Sequence, residues 1–142
     1  MRDFRTLKVW QKSHELTLAV YRATRAFPKD ELYGLTSQTR RSSASVPGNI
    51  AEACGRHGEN EFVRFLDIAA GSASELEYHL LLARDLCILS EPEYRDLAAA
   101  TSEVKQMLTS LIQKVRPERR RGFGTQQSSR TIRDDSTRQA EG

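Results

Sequence analysis

The stretch that decides the fold reads QTRRSSASVPGNIAEACGR over residues 38–56 and GENEFVRFLDIAAGSASELE over residues 58–77. Its second half places small and large apolar residues at alternating gaps of four and three, the spacing typical of one face of a helix. The row continues well past the quoted stretch and comprises Phe62, Leu66, Ala69, Ala73, Leu76, Leu80, Ala83 and Cys87. This pattern predicts a long helix with Asn60 as its N-cap.

The first half predicts another helix, from Leu32 or Tyr33 to Gly55. Pro47 falls in its middle. Because proline lacks a backbone N–H and clashes with the preceding turn, we expect a kink there. Gly55 is expected to end the helix in the left-handed conformation that glycine adopts easily.

Five polar side chains lie among the core-type positions of these two helices: Gln38, Arg41, Asn49, Glu52 and Glu75. A buried polar group costs free energy unless it is hydrogen-bonded, so their presence needs an explanation. We predict a structural polar network between helices that fixes their register. A small polar site inside the bundle and simple exposure to solvent are the alternatives.

Two more helices flank this pair. The first carries Val9, Ser13, Leu16, Val20, Ala23 and Phe27 at the same spacing, and the last carries Tyr94, Leu97, Thr101, Val104, Leu108, Leu111 and Val115. No segment alternates with a period of two, so strands are not expected. Residues 1–116 are therefore predicted to form an all-α, antiparallel up-down-up-down four-helix bundle. Residues 117–142, which are polar and aperiodic, are predicted to be a disordered basic tail.

Hydropathy and cysteine content indicate a cytoplasmic protein. No apolar run approaches the roughly 18 residues of a membrane-spanning helix, so no membrane partner is expected. The start of the chain, MRDFRTLKVWQK, lacks the apolar core of a secretion signal. Cys54 and Cys87 both fall in apolar helical patterns, and we expect two reduced, buried thiols.

The basic residues are concentrated at the two ends of the chain. Residues 1–29 hold seven basic and two acidic side chains, whereas residues 30–116 hold nine basic and thirteen acidic ones. A basic stripe is predicted on the first helix, consisting of Arg5, Lys8, Lys12, Arg22 and Lys29 with Arg25 beside it. Such a stripe can be an ordinary solvated face, a nucleic-acid surface or a docking face for another subunit. Further arginines could extend it: Arg40, Arg56, Arg119, Arg120 and Arg121.

The sequence offers little for catalysis. His79 follows Glu75 by four residues, but the two Glu-x-x-His motifs of a di-metal bundle are not present. There is no glycine-rich phosphate loop and no nucleophile displayed on a strand-turn-helix elbow. We therefore predict no enzymatic activity, no metal site and no cofactor.

Several motifs in order resemble one known family. They are FRTLKVWQKSHEL, FPKDELYGLTSQTRR, ASVPGNIAEACGR and FLDIAAGSASELE, which together cover most of the bundle. The chain resembles the four-helix bundle family of 23S rRNA intervening-sequence proteins. The positions that match the family pattern are Arg40, Arg41, Pro47, Asn49, Glu52, Gly55, Arg56, Gly71, Ser72 and Glu75, whereas Gly48 and Ala53 depart from it mildly.

The resemblance also carries expectations about assembly and partners. The family is similar to the accessory variability protein of diversity-generating retroelements, a pentameric barrel that engages nucleic acid and a reverse transcriptase. It implies a homopentamer, RNA or DNA as a ligand and a reverse transcriptase as a protein partner. We predict a non-catalytic oligomeric accessory protein that binds nucleic acid through its basic surface. The alternative is a protein–protein interaction scaffold with no nucleic-acid role.

Overall fold

Four α-helices make up most of the computed structural model, which describes residues 2–116. No strand occurs among these residues, so the all-α prediction is confirmed. The predicted tail, 117–142, lies outside the described residues. In chain order the helices are α1 (Lys8–Thr24), α2 (Ser37–Gly55), α3 (Glu59–Asp85) and α4 (Glu91–Val115).

Helix α1 buries one stripe and leaves the rest of its surface in water. Its buried residues are Val9, Ser13, Leu16, Thr17, Val20 and Thr24, and Phe27 is buried just beyond its end. The predicted row is confirmed except at Ala23, which is half-buried, and Thr17 and Thr24 are buried in addition. Burial of the large side chains stabilises the helix by roughly 1.5–3 kcal/mol for each Leu or Val fully removed from water.

The chain between α1 and α2 forms a 3-10 turn, Lys29–Glu31, and then a short π-helix, Leu32–Thr36, which is kinked at Gly34, where φ is −110° and ψ is −111°. The Glu31 carboxylate accepts a hydrogen bond from the Leu35 N–H at 3.1 Å. A Cβ at Gly34 would lie 3.0 Å from that carboxylate oxygen, so glycine leaves room for this cap. The predicted helix start at Leu32 or Tyr33 therefore marks the π-helix, and α2 begins at Ser37.

Helix α2 continues across Pro47 as a single helix. Because Pro47 has no N–H, the carbonyl of Ser43, four residues earlier, lacks its usual helical donor. Thr17 of α1 supplies a substitute: its Oγ1 lies 2.9 Å from the Ser43 oxygen, and 3.0 Å from that of Ser13 in its own helix. The hydrogen bond between Thr17 and Ser43 thus joins α1 to α2 at the carbonyl that Pro47 leaves without a helical donor.

Helices α2 and α3 pack closely through small polar residues. Ser42 Oγ lies 3.1 Å from His79 Nδ1, and Ser45 Oγ lies 2.8 Å from Ser72 Oγ. The partners run in opposite order along the two helices, so α2 and α3 are antiparallel. Serine at these positions allows the backbones to approach and supplies hydrogen bonds in the gap.

The turn between α2 and α3 differs from both predicted caps. After Gly55 the chain becomes extended at Arg56, with φ −87° and ψ 157°, so Gly55 does not provide a left-handed cap. The positive φ falls instead at Gly58, at 84°, which precedes the first residue of α3. Asn60 therefore lies inside α3 and is not its N-cap. The spacing of apolar residues does not show which of the two glycines adopts the positive φ of this turn.

The end of α3 corrects the prediction for Cys87. This residue has φ 60° and is exposed, whereas Cys54 is buried and both cysteines are free. The Ile88 N–H donates to the Ala83 carbonyl at 2.9 Å, which closes the helix end around a left-handed residue. The turn therefore interrupts the apolar row one residue before it would bury Cys87.

Helix α4 begins after Ser90, whose Oγ accepts from the Glu93 N–H at 3.3 Å. It buries Leu97, Thr101, Val104 and Leu108, which confirms the centre of its predicted face. Residues up to Ile112 belong to one compact unit. The complete up-down-up-down order stays a prediction. Within the described part of the chain, no helix is both long enough and apolar enough to cross a membrane.

Candidate nucleic-acid interface

The outward face of α1 carries cations that have no carboxylate partner among residues 2–116. Lys8, Arg22 and Arg25 are exposed, and no described acidic side chain forms an ion pair with them. Glu15 is the only acidic residue between positions 8 and 25. We call Lys8, Arg22 and Arg25 the α1 face. Unpaired cations of this kind are available to phosphate groups.

Lys12 occupies the flank of α1 that is next to α4. Its Nζ lies 3.9 Å from Glu103 Oε1, and both side chains are about half exposed. An exposed pair of this length contributes little to stability, but it lowers the net positive charge at Lys12. Lys12 is therefore less available to phosphate than the unpaired cations of the α1 face.

Arg5 and Arg56 are exposed but paired. Arg5 lies 3.5 Å from Asp3 and its guanidinium sits over the Phe4 ring, whereas Arg56 lies 2.7 Å from Glu52 in its own helix. Each pairing offsets a positive charge with a carboxylate. Arg5 and Arg56 therefore contribute less positive charge to a phosphate-binding surface than the unpaired cations do.

Arg40 is half-buried between α1 and α2. Its Nε donates to Thr24 Oγ1 at 2.8 Å, and its guanidinium lies over the Tyr21 ring, 5.0 Å from the ring centre. The side chain is thus held in one position by two residues of α1. It links the helices and also leaves guanidinium nitrogens at the surface.

The predicted basic residues fall into two groups. Arg5 and Lys8 lie at the start of α1, where the Arg2 N–H donates to the carbonyl of Cys54 at 3.0 Å, near the end of α2. Arg22 and Arg25 lie near the other end of α1. At 1.5 Å per residue, Lys8 and Arg22 are about 21 Å apart along the helix. Arg119, Arg120 and Arg121 lie outside the described residues.

The predicted polar network is wrong within this chain. Gln38, Arg41, Glu52 and Glu75 are exposed, and Asn49 is half-buried. Asn49 Nδ2 donates to the Ser45 carbonyl and to Ser45 Oγ, both within α2, and Glu52 pairs only with Arg56 of its own helix. These positions border the buried stripe without entering it, because the smaller serines and threonines occupy the space between helices.

The buried polar residues form a different set, of which the sequence analysis placed only Ser13 and Thr101 in its predicted buried rows. Ser13, Thr17, Thr24, Thr39, Ser42, Ser43 and Thr101 are all buried and hydrogen-bonded, mostly to carbonyls of the preceding turn. Several of them stand in the apolar rows at positions where a core residue is expected. The sequence signal that could have predicted these buried residues is the occurrence of serine and threonine at core spacing on neighbouring helices.

One part of this set resembles a hydrolytic arrangement. His79 Nδ1 lies 3.1 Å from Ser42 Oγ, and its Nε2 lies 3.8 Å from Glu75 Oε1. Ser42 is 3% exposed, however, so a substrate carbonyl cannot reach its oxygen. No group of three or more His, Cys, Asp or Glu side chains within 2–116 is placed to hold a metal ion.

The pKa shifts lie away from the α1 face. Burial raises the pKa of the Cys54 thiol, with the nearby Arg2 charge opposing it. The hydrogen bond from Arg64 lowers the pKa of Glu61, which is three residues earlier in α3. The Cys54 shift favours the neutral thiol and therefore opposes a role as a nucleophile.

A family model described as 23S rRNA-intervening sequence protein matches residues 5–110. The chain belongs to this family. The match includes the whole of α1, α2 and α3, and so the α1 face lies within the family's 23S rRNA-intervening sequence protein domain.

A similar solved structure comes from Bacteroides thetaiotaomicron and is described as a protein with unknown function from the S23 ribosomal protein family. It has a TM-score of 0.67 and 26% sequence identity, and the alignment covers 73% of this chain and 97% of that chain. Comparison with curated proteins found no match. These likenesses support the family and the fold rather than an activity.

Proposed function

We propose that this protein is a non-catalytic, oligomeric accessory protein that binds RNA or DNA through the α1 face. The observation that carries the proposal is the set of exposed cations, Lys8, Arg22 and Arg25, with no described carboxylate partner. Cations that are not neutralised within the protein gain affinity by displacing counterions from phosphates.

The spacing of the two basic groups suits a long, regular ligand. A distance of about 21 Å between Lys8 and Arg22 equals roughly twelve phosphate charges along a duplex, taking one charge per 1.7 Å. One helix can therefore contact two separate stretches of backbone. No base-reading element is needed for this mode, so binding is expected to depend on salt and little on sequence.

We also propose that the protein assembles into a homo-oligomer, by resemblance a pentamer. Exposed apolar residues on α3, namely Ile68 and Tyr78, lie beside the exposed helical Gly71 and the carboxylate of Glu75. A second copy that covers this surface would remove apolar area from water. A ring would repeat the α1 face and raise the avidity of each weak patch.

The two cysteines indicate the cellular setting. Cys54 and Cys87 are both free, which fits a reducing compartment, and we propose a cytoplasmic location. A reverse transcriptase of a diversity-generating retroelement is the protein partner that the resemblance suggests. A reverse-transcriptase gene next to the gene for this protein would support that role, and a ribosomal RNA gene would favour the intervening-sequence class.

The test is a gel shift with a structured RNA and a DNA duplex at low salt. The variant Lys8→Gln, Arg22→Gln, Arg25→Gln removes the α1 face, and Arg64→Gln, Arg84→Gln, Arg95→Gln makes the same charge change elsewhere. We expect the wild type and the control variant to shift nucleic acid and the α1 variant to shift it weakly. Equal retention by all three proteins, or none by the wild type, favours the scaffold alternative.

A further inference from the structure

A shallow groove of about 520 Å³ lies where α1, the π-helix and the start of α2 meet. Its lining includes Tyr21, Tyr33, Thr36, Arg40 and Arg41. We call it the Tyr33 groove. Its volume falls within the range of about 300–1,000 Å³ that is usual for small-ligand sites. Four of these five residues face water, and Thr36 is buried.

The groove presents one aromatic ring, that of Tyr33, which has no stacking or cation–π partner among residues 2–116. Tyr33 is 93% exposed, although tyrosine usually buries its ring and leaves only the hydroxyl in water. The bond from Leu35 N–H to the Glu31 carboxylate, which Gly34 accommodates, holds the π-helix that carries Tyr33. The ring therefore stands in water on a segment of defined geometry.

Two guanidinium groups lie beside the tyrosines. Arg40 is anchored by its Nε to Thr24 and by its contact with the Tyr21 ring, which leaves its terminal nitrogens for other partners. Arg41 is exposed and forms no ion pair with any residue from 2 to 116. The residues that line the groove include these two arginines and no acidic side chain. The groove is therefore positively charged.

A polar group at the base of the groove also lacks a partner. Thr36 is 3% exposed, and its Oγ1 has no hydrogen-bond partner among the described residues. Buried hydroxyls are normally hydrogen-bonded, and an unpaired one costs free energy. Because this oxygen is itself buried, a ligand that lies in the groove does not reach it, and Thr36 is not counted as a ligand contact.

We propose that the Tyr33 groove holds one unpaired nucleotide of a single-stranded segment. The base stacks on Tyr33, and the adjacent phosphate pairs with Arg41 and the free nitrogens of Arg40. Aromatic side chains beside cations are the usual means of holding single strands without reading their sequence. This inference rests on the proposed nucleic-acid function and adds a site for unpaired bases to a face that contacts backbone.

The test measures fluorescence anisotropy with a labelled single-stranded oligonucleotide and with the same sequence closed into a blunt duplex. We expect Tyr33→Leu to weaken single-strand binding by between about fivefold and a hundredfold, since this is the range for one stacked base. Tyr33→Phe should restore it, because stacking needs the ring and not the hydroxyl. Duplex binding should be unchanged in both. Tyr94→Leu, at a tyrosine of α4 that lies outside both the groove and the proposed oligomer surface, is the control.

The outcomes separate the two proposals. If Tyr33→Leu binds the single strand as the wild type does, while the α1 variant is impaired, the groove assignment is wrong and the proposed function stands. If the wild type binds neither ligand, both are wrong. Arg41→Ala adds a second readout: its plot of log affinity against log salt should be shallower by about 0.7, the value for one single-strand phosphate contact.

Discussion

Cys87 is the only residue other than glycine with a positive φ within 2–116, at 60°. This left-handed conformation costs an L-residue roughly 1–2 kcal/mol, which is why glycine is usual just after a helix end. The sequence could not reveal this, because Cys87 continues the apolar row of α3 without a gap. A helix end depends on backbone angles that periodicity does not contain.

Replacing Cys87 by glycine should therefore stabilise the protein. Relief of the left-handed strain exceeds the extra backbone entropy that glycine loses on folding, about 0.5–1 kcal/mol, so the net gain should be up to about 1 kcal/mol. Urea denaturation measures it as a higher midpoint at an unchanged slope. Cys87→Ala is the control, since alanine keeps the strain. An equal gain from alanine would show that the strain is not the cause.

The two thiols should differ in reactivity. An aromatic disulfide reagent at neutral pH should modify Cys87 in the folded protein and Cys54 only after denaturation, because Cys54 is buried. Two thiols titrating at one fast rate in the native state would contradict the structure.

The Cys54 shift also predicts a pH dependence. Burial raises the pKa of this thiol above its ordinary 9.0. The unfolded chain loses the proton first as the pH rises, so the folded state is favoured in full below pH 9.0 and less as the pH climbs toward the raised value. As the pH rises above 9.0, the urea midpoint of the wild type should fall more steeply than that of Cys54→Ala. Parallel curves would exclude the effect.

Among the elements, the contact between α1 and α2 at Pro47 shows most clearly how the sequence specifies packing. Heptad-like spacing predicted α1, an inner face of apolar residues predicted α2, and the properties of proline predicted a kink at Pro47. The hydrogen bond from Thr17 to the freed Ser43 carbonyl could not be predicted, because it depends on the register of the two helices at residues that are 26 positions apart in sequence. The same dependence on register explains why the predicted polar network is wrong. Spacing identified positions next to the buried stripes of the helices, but it did not show which side chains are buried between them.

Thr17→Val should destabilise the protein by about 1–3 kcal/mol, because it leaves the Ser43 carbonyl buried without a donor. In a Pro47→Ala background the backbone N–H of residue 47 satisfies that carbonyl, so the same change should cost less. A double-mutant cycle from denaturation midpoints measures this difference as the coupling of the two sites. Additive effects would mean that Thr17 acts only through its own packing.

At the scale of the whole molecule, the outer surface of α2 and α3 contains glycines for which the single chain gives no structural reason. A Cβ added at Gly48 or Gly71 would meet nothing within 4 Å, yet glycine in a helix costs up to about 1 kcal/mol relative to alanine. Close approach of a second copy would give these glycines a purpose. Fold class was readable from the sequence because it depends on periodicity, whereas assembly depends on surfaces that do not repeat.

Light scattering at micromolar concentration tests this assembly. The wild type should exceed the mass of a monomer, and Ile68→Glu should reduce it, since a charge would be buried against the partner copy. Leu18→Glu is the matched control, because Leu18 is 42% exposed on α1 and Ile68 is 40% exposed on α3. A monomeric wild type, or equal effects of the two variants, would contradict an interface on α3.

The salt dependence of nucleic-acid affinity tests the central claim most directly. Anisotropy titrations with an RNA or DNA duplex at several salt concentrations give the slope of log affinity against log salt, to which each phosphate contact contributes about −0.9 for duplex DNA. The variant Lys8→Gln, Arg22→Gln, Arg25→Gln should have a slope shallower by about 2–3, and Arg64→Gln, Arg84→Gln, Arg95→Gln the slope of the wild type. Equal slopes for all three proteins, or a wild type that does not bind at low salt, would contradict the α1 face as a nucleic-acid surface.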